Sequence, residues 1–165
     1  MKAIVAVDKN WGIGKDNDLL FSLPADMAFF REKTLGKVVV MGSNTLKSFP
    51  GSRPLKNRTN IVLSSKLERE DVTIVRDLEA LKNLLKMYPS DDIYIIGGAM
   101  LYKTMLPYCE EVLVTKVDAD GGAKVFFENL DKIPGWELSF TSEPIETNGY
   151  IINFTNYINT EIKQL

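Results

Sequence analysis

The sequence predicts a single-domain α/β fold in three layers, with a mostly parallel central sheet of about eight strands, helices on both faces and an antiparallel C-terminal edge. Three observations lead to this prediction. Short, continuously apolar runs recur along the chain, as is typical of strands buried on both faces. Segments with helical signals separate most of these runs, which favours parallel pairing through crossover helices. The last two strand-like segments follow each other directly, which indicates antiparallel pairing.

Composition is that of a soluble globular protein. The 165 residues are 45% apolar, with a mean hydropathy of -0.07 and a net charge of -2, so one domain over residues 1–165 with its own core is expected. This charge excludes a general electrostatic attraction to nucleic acid or anionic membranes. No apolar run is long enough for a signal peptide or a membrane span, and a cytoplasmic location is therefore expected.

The histidine and cysteine content narrows the chemistry. Because the chain contains no histidine, serine–histidine and cysteine–histidine catalysis and histidine metal sites are excluded, and no metal site is expected. Proton transfer then depends on Asp, Glu, Lys, Tyr or water. The one cysteine, Cys109, excludes an internal disulfide and shows no thiol-redox signature around it. We expect Cys109 to pack in the core.

The predicted elements alternate along the chain. A buried strand over residues 2–8 precedes a loop over 9–22 that is rich in Gly, Asn and Asp, and a loop of that length is often functional. A helix is expected from Pro24, because proline suits the first helical turn. Further strands are predicted at 37–42, 59–64, 72–75, 93–96, 112–117, 136–142 and 150–158, and further helices near Ser43, after Asp77 as N-cap, and after Gly98.

Asp26 lies in the first turn of the Pro24 helix, four residues before Phe30 and shortly after Leu23. Residues four apart share one helix face, so this carboxylate is expected to lie among apolar groups. An acid in the first turn commonly complements the helix dipole, for about 0.3–1 kcal/mol, and these residues alone favour that structural role. The functional alternative is a buried acid with a shifted pKa that binds or protonates a polar ligand.

Two strand-to-helix junctions are candidate anion sites. Ser43 and Asn44 begin a helix directly after a strand, and Gly97-Gly98 stand between a strand and the next helix. Backbone N–H groups at such junctions point to the carboxyl edge of a parallel sheet, where ligands bind. Each junction also has a structural explanation, since Ser43 or Asn44 suits an N-cap and a tight turn needs glycine for steric reasons.

Taken together, these stretches resemble dihydrofolate reductases, and the resemblance covers nearly the whole chain. The residues that carry it are Trp11-Gly12-Ile13-Gly14, Leu23-Pro24-Ala25-Asp26-Met27 with Phe29-Phe30, Val40-Met41-Gly42, Arg53-Pro54-Leu55, Asn60-Ile61-Val62-Leu63-Ser64, Ile95-Ile96-Gly97-Gly98-Ala99 with Tyr102, and Thr115 with Asp118. No one motif is decisive, but their joint order and spacing is specific. The resemblance favours functional roles for Asp26 and Gly97-Gly98.

The resemblance implies a monomeric enzyme that reduces 7,8-dihydrofolate to 5,6,7,8-tetrahydrofolate with NADPH, adding hydride to pterin C6 and a proton to N5. Asp26 would accept hydrogen bonds from the 2-amino group and the N3 side of the pterin, and Thr115 would join this network. Water would deliver the proton, because the carboxylate is on the far side of the ring. Arg58 would clamp the α-carboxylate of the glutamate tail in a bidentate manner. The residues implied to line the folate cleft, which would also take antifolates, are Ile4, Ala6, Phe30, Phe49, Leu55 and Ile96.

A cofactor site follows from the same resemblance, with the segment 14–20 as a mobile loop over the nicotinamide. The residues implied to contact NADPH are Ala6, Ile13, Gly14, Leu19, Ser43, Asn44, Thr45, Ser64, Ser65, Arg76, Gly97, Gly98, Ala99, Leu101 and Tyr102. Ser43 and Asn44 stand where the family usually has a basic residue for the 2′-phosphate, so Ser64, Ser65, Lys66 or Arg76 would have to compensate.

Two more positions depart from the family pattern. Phe21 replaces the usual tryptophan before the Leu-Pro pair and cannot donate an indole N–H to water near the pterin. Lys124 stands where many members have an acid that tethers the first loop. Two alternatives remain open. One is a reductase of the same fold that acts on a pyrimidine intermediate of riboflavin synthesis, against which Asp26 with Arg58 argues. The other is a non-catalytic pterin- or nucleotide-binding module.

Overall fold

The structure, a computed structural model, describes residues 1–16 and 18–165. Nine strands form the main sheet in the order β10-β11-β7-β1-β6-β3-β4-β5, with β9 also paired to β11. The strands are β1 Lys2–Val7, β3 Val38–Gly42, β4 Thr59–Leu63, β5 Thr73–Val75, β6 Ile93–Gly97, β7 Glu111–Val117, β9 Trp136–Thr141, β10 Ile145–Thr147 and β11 Tyr150–Asn159. Because β10 pairs with the start of β11 and β9 with its end, the nine strands occupy eight positions across the sheet.

The pairing directions confirm the predicted fold class. All pairs from β7 through β1, β6, β3 and β4 to β5 are parallel. The pairs that β11 makes with β7, β9 and β10 are antiparallel. The parallel strands therefore place their carboxyl ends along one edge, where the candidate site residues lie.

Helices cover both faces of the sheet, as predicted. They are α1 Pro24–Thr34, α2 Ser43–Ser48, α3 Leu78–Leu85 and α4 Ala99–Met105. Alternate residues of each central strand belong to two different hydrophobic clusters, as the period of a strand requires. Leu81 of α3 and Met105 of α4 pack in the first cluster, whereas Leu46 of α2 and Phe30 of α1 pack in or against the second.

Local signals at the helix ends are confirmed in part. The Asp77 side chain caps α3 by accepting from the backbone N–H of Ala80 at 2.8 Å, as predicted. The proposed capping role of Ser43 or Asn44 is wrong, because Gly42 is the N-cap of α2 and no side chain makes the capping bond. Cys109 is fully buried in the core, as expected, and burial raises the pKa of its thiol to about 12.

The prediction of one uninterrupted loop over residues 9–22 is wrong. Gly12–Gly14 forms a short strand, β2, that pairs antiparallel with β8 at Val125–Phe126. The segment 14–20 that was expected to be mobile includes Asn17, which lies outside the described residues. Across residues 1–16 and 18–165, no helix is long and apolar enough to cross a membrane.

Candidate active site

Helix α1 carries Asp26, and the C-terminal edge of the sheet holds its N-terminal end in place. Proline begins the helix, and no side chain from the N-cap Leu23 satisfies its first turn. Instead, Thr147 at the end of β10 accepts a hydrogen bond from the N–H of Ala25 at 3.1 Å. Phe29 of α1 stacks on Phe154 of β11, with ring centroids 4.3 Å apart. The helix start is therefore anchored to strands more than a hundred residues away along the chain.

Asp26 and Thr115 form the polar centre of the site. The Thr115 hydroxyl, on β7 and 1% exposed, donates to Asp26 Oδ1 at 2.6 Å. Burial raises the pKa of Asp26, and the hydrogen bond from Thr115 opposes this by lowering it. Within the described residues, the Asp26 carboxylate accepts no other hydrogen bond, so its Oδ2 is available to a ligand. The structure thus brings together the two residues implied to be catalytic.

Apolar side chains form a wall on the side of the sheet that carries this carboxylate. Ile4 of β1 and Ile96 of β6 are buried in one cluster, and the partly buried side chains of Phe30, Phe49 and Leu55 pack against that cluster. Ala6 pairs with Thr115 across the β1–β7 ladder and so shares its face. All six residues predicted to line the folate cleft therefore lie on the α1 side of the sheet.

Arg58 lies at the far end of α1 and is held in one orientation. Its Nε donates to Thr34 Oγ1 at 3.2 Å, and its Nη1 donates to the carbonyl of Lys56 at 2.8 Å. Burial lowers the pKa of Arg58, and the nearby charge of Arg31 lowers it further. Sequence reasoning missed Arg31, because a basic residue near the C-terminal end of a helix is explained by the helix dipole.

The predicted cofactor residues follow neighbouring strands. Gly42 of β3 pairs with Leu63 of β4, and Met41 pairs with Gly97 of β6. The residues directly after these pairs therefore form a row along the carboxyl edge of the sheet. This row contains Ser43, Asn44 and Thr45 after β3, Ser64 and Ser65 after β4, Arg76 after β5, and Gly98 with Ala99 after β6.

Gly97 lies within this row at a position that requires glycine. Its φ of +126° is disfavoured for residues with a side chain, and an added Cβ would lie 3.3 Å from Thr45 Oγ1 and 3.5 Å from the Tyr102 ring. At the end of the row, the Arg76 guanidinium donates from Nη1 to the carbonyls of Ser64 and Leu67, at 3.2 and 2.7 Å. Glycine backbone, hydroxyls and one fixed cation suit the phosphates of a dinucleotide.

Three of the predicted cofactor residues differ from the rest in their placement. Leu101 is 5% exposed and packs in the core cluster on the opposite side of the sheet. Tyr102 is buried, and its hydroxyl donates to the carbonyl of Ile4 at 2.7 Å, so it ties α4 to β1. Burial strongly raises the pKa of Tyr102. Leu19 projects into solvent with 76% exposure.

The positions that depart from the family pattern make contacts of their own. Phe21 packs edge-on against Tyr150, with ring centroids 4.8 Å apart. The backbone N–H of Lys124 donates to the carbonyl of Gly14 at 2.9 Å, and its Nζ lies 3.8 Å from Asp16 Oδ1. Lys124 therefore contacts the first loop, and in this ion pair the acid, Asp16, lies on the loop and the base, Lys124, lies opposite it.

Comparisons with known proteins agree with this arrangement. A protein-family model described as dihydrofolate reductase matches residues 1–159. The dihydrofolate reductase of Haemophilus influenzae is 40% identical over 138 residues, which cover 83% of each chain. That of Bacillus subtilis is 35% identical over 159 residues, covering 93% of this chain and 91% of the relative.

A solved structure extends the likeness to three dimensions. Dihydrofolate reductase from Enterococcus faecalis, complexed with NADP(H) and RAB-propyl, superposes with a TM-score of 0.81 at 32% identity. The match covers 96% of this chain and 95% of that chain. The family model, the relatives and the shared fold together show that this chain belongs to the dihydrofolate reductase family.

Proposed function

We propose that this chain reduces 7,8-dihydrofolate to 5,6,7,8-tetrahydrofolate with NADPH, in the cleft between α1 and the carboxyl ends of β1, β6 and β7. Membership of the dihydrofolate reductase family supports the activity and the cofactor. The single observation that supports the site is the Asp26–Thr115 pair, a carboxylate with a raised pKa in an apolar wall. Such a group is a candidate for ligand binding and proton chemistry.

The Asp26 carboxylate orients the pterin. Two parallel donors, the 2-amino group and N3 of the pterin, match the two oxygens of one carboxylate, and charge-assisted pairs of this kind are strong. Thr115 holds Oδ1 at 2.6 Å and limits rotation of the carboxylate. Because Asp26 binds the edge of the ring away from N5, the proton reaches N5 from water, and Asp26 favours that transfer through its charge.

Arg58 and the apolar wall bind the remainder of the substrate. The wall from Phe30, Phe49 and Leu55 suits the aromatic group between the pterin and the tail. Arg58 is pre-oriented by Thr34 and can offer its fork to the α-carboxylate of the glutamate tail. Arg31, which lies close enough to lower the pKa of Arg58, adds positive charge beside this carboxylate. Antifolates of similar shape would occupy the same cleft.

The row along the carboxyl edge fits NADPH. The bare backbone at Gly97-Gly98 admits a diphosphate, with Thr45 Oγ1 beside it. Arg76, fixed by two carbonyls, is the cation placed to bind the 2′-phosphate in place of the missing base at Ser43. When bound, NADPH supplies the hydride for C6 of the pterin. Ala6, Ile13 and Gly14 lie where they can exclude water from this end of the cleft.

We further propose that residues 1–165 form one domain that acts as a cytoplasmic monomer without nucleic-acid partners. All strands except the β2–β8 pair belong to one sheet, which supports a single folding unit. The net charge of -2 gives no attraction to polyanions. Size-exclusion chromatography with light scattering tests the monomer, and a mass of two chains would contradict it.

The activity is tested by following the loss of reduced-nicotinamide absorbance with dihydrofolate, with NADPH and NADH in parallel. We expect rapid oxidation of NADPH, slower oxidation of NADH, and tetrahydrofolate as the product by mass spectrometry. Asp26→Asn serves as the site variant, and Glu110→Gln serves as the matched control because Glu110 precedes β7, at the edge of the sheet opposite the site. Turnover of a riboflavin-pathway pyrimidine instead of dihydrofolate would reject the proposal, as would binding of NADPH without any turnover.

A further inference from the structure

We propose that Asp8 is a positioning residue for the reaction, because its carboxylate joins the first loop (residues 9–22) to the turn over residues 118–124. The inference rests on the proposed function, since it concerns the cofactor side of the same cleft. Asp8 directly follows β1, two residues beyond Ala6, and is 2% exposed. A carboxylate buried to this extent must be fully hydrogen-bonded to be tolerated.

Backbone donors from both segments satisfy the Asp8 carboxylate. Oδ1 accepts from the N–H of Asn10 at 2.8 Å and from the N–H of Gly12 at 2.7 Å, both in the first loop. Oδ2 accepts from the N–H of Gly121 at 3.0 Å, in the turn. Hydrogen bonds from backbone N–H groups to a carboxylate are charge-assisted and strong. One side chain therefore links two segments that are separated by more than a hundred residues.

The space around this link is filled closely. A Cβ on Gly12 would lie 2.2 Å from Ala123 Cβ and 2.9 Å from both oxygens of Asp8, so only glycine fits. Beyond the link, the two segments continue as the β2–β8 pair. The N–H of Lys124 there donates to Gly14 O at 2.9 Å. The exposed Lys124–Asp16 ion pair at 3.8 Å contributes little by comparison.

The link reaches the candidate site at both ends of the first loop. Ile13 and Gly14, two of the proposed cofactor contacts, directly follow the Gly12 that Asp8 binds. Leu20 and Phe21 contact the Gly121 that Asp8 also binds, since a Cβ there would lie 2.9 Å from Leu20 Cδ1 and 3.0 Å from Phe21 Cζ. Misplacement by about 1 Å can slow a reaction by about 10²-fold. Loss of the Asp8 link should therefore impair cofactor binding and hydride transfer more than folate binding.

Asp8→Asn tests the proposal because an amide has only one oxygen. A backbone N–H of either the first loop or the turn must then face the NH2 group of the amide. Both groups are donors, so the hydrogen bond at that contact is lost. In the protein without ligands, we expect amide hydrogen exchange at Gly12 or Gly121 to accelerate by about tenfold or more. We expect the KM for NADPH to rise about tenfold and single-turnover hydride transfer to slow about tenfold, with the KM for dihydrofolate within about twofold of wild type.

Glu110→Gln is the matched control, because it also replaces a carboxylate by an amide, at the amino end of β7 and therefore at the edge of the sheet opposite the cofactor row. It should leave exchange at Gly12 and Gly121 and both KM values unchanged, even if stability falls. Wild-type exchange and kinetics in Asp8→Asn would overturn the proposal, and so would equal rises in both KM values.

If Asp8→Asn does not fold, Gly12→Ala decides the question, since its methyl group forces the two segments apart while the carboxylate remains. In this variant too, we expect the KM for NADPH to rise and the KM for dihydrofolate to stay close to wild type. A wild-type KM for NADPH would overturn the proposal. No turnover by the wild-type protein would refute the proposed function, whereas normal turnover by both variants would refute the role of Asp8 alone.

Discussion

Replacement of Asp26 by asparagine tests the polar centre of the site, because it changes charge and hydrogen bonding at constant size. The Thr115 hydroxyl can still donate to the amide oxygen over a distance near the present 2.6 Å. The amide cannot accept a second hydrogen bond from the pterin through its nitrogen. The variant should therefore keep its fold, lose one of the two hydrogen bonds to the substrate, and lose the charge that strengthens the other.

The size of the effect follows from that lost bond. A hydrogen bond to a charged group contributes about 1.5–3 kcal/mol, and an unpaired buried donor adds a cost of its own. A total of about 3 kcal/mol corresponds to a loss of about 10²-fold in kcat/KM for dihydrofolate. Steady-state assays near neutral pH measure this ratio, with Glu110→Gln as the control. A kcat/KM within a few-fold of wild type would refute the assigned role of Asp26.

Although Asp26→Asn should lower activity, it should raise the stability of the folded protein. Burial raises the pKa of Asp26 above its ordinary value of 3.8, so the folded state favours the protonated form. Its stabilising contribution is present below the unfolded pKa and is lost as pH rises through the folded pKa. At pH 7, well above the ordinary pKa of 3.8, burial of this carboxyl group costs stability relative to a neutral amide, so Asp26→Asn should raise the Tm of the ligand-free protein. This gain should shrink as the pH falls towards 4, and a lower Tm at pH 7 would contradict it.

Substitutions at three other positions have distinct kinetic or binding effects. Thr115→Val removes the bond that lowers the pKa of Asp26, so the acidic limb of the kcat/KM profile should move to higher pH, with about tenfold weaker folate binding. Arg58→Leu should weaken dihydrofolate binding by roughly 2–4 kcal/mol, and Arg58→Lys by less, as measured by titration. Gly97→Ala should raise the KM for NADPH about tenfold with little change for dihydrofolate, because its φ is +126° and its methyl group would crowd Thr45. An unchanged profile, dissociation constant or KM, respectively, would count against each assignment.

The fold was largely predictable because its long strands are apolar and buried. The run Val38–Gly42 lies between two parallel strands of the sheet and is buried over four of its five residues. Strand β8 has two exposed residues and β10 has three residues, so neither has enough length for a hydrophobic period to appear. The pattern of Gly12–Gly14 predicts a loop because glycine is typical of turns. In the structure, Gly12 instead allows Ala123 to approach the strand closely.

The sequence predicts the residues that would contact ligands, but it does not predict the residues that hold those side chains in place. Asp26 and Thr115 were expected together from the resemblance, and they form one hydrogen bond. The support from Thr147 to the start of α1, and from Thr34 to Arg58, spans 122 and 24 residues. Threonine in such positions has no local signature, because the bond depends on how distant elements pack.

A crystal structure of the chain with folate and NADP⁺ would show how Asp26, Arg58 and the glycine pair bind their ligands. We expect both oxygens of Asp26 at about 2.7–2.9 Å from the 2-amino nitrogen and N3 of the pterin, with the tail carboxylate on Arg58. We also expect the diphosphate at Gly97-Gly98. A pterin bound away from Asp26, or a tail carboxylate that does not contact Arg58, would contradict these assignments.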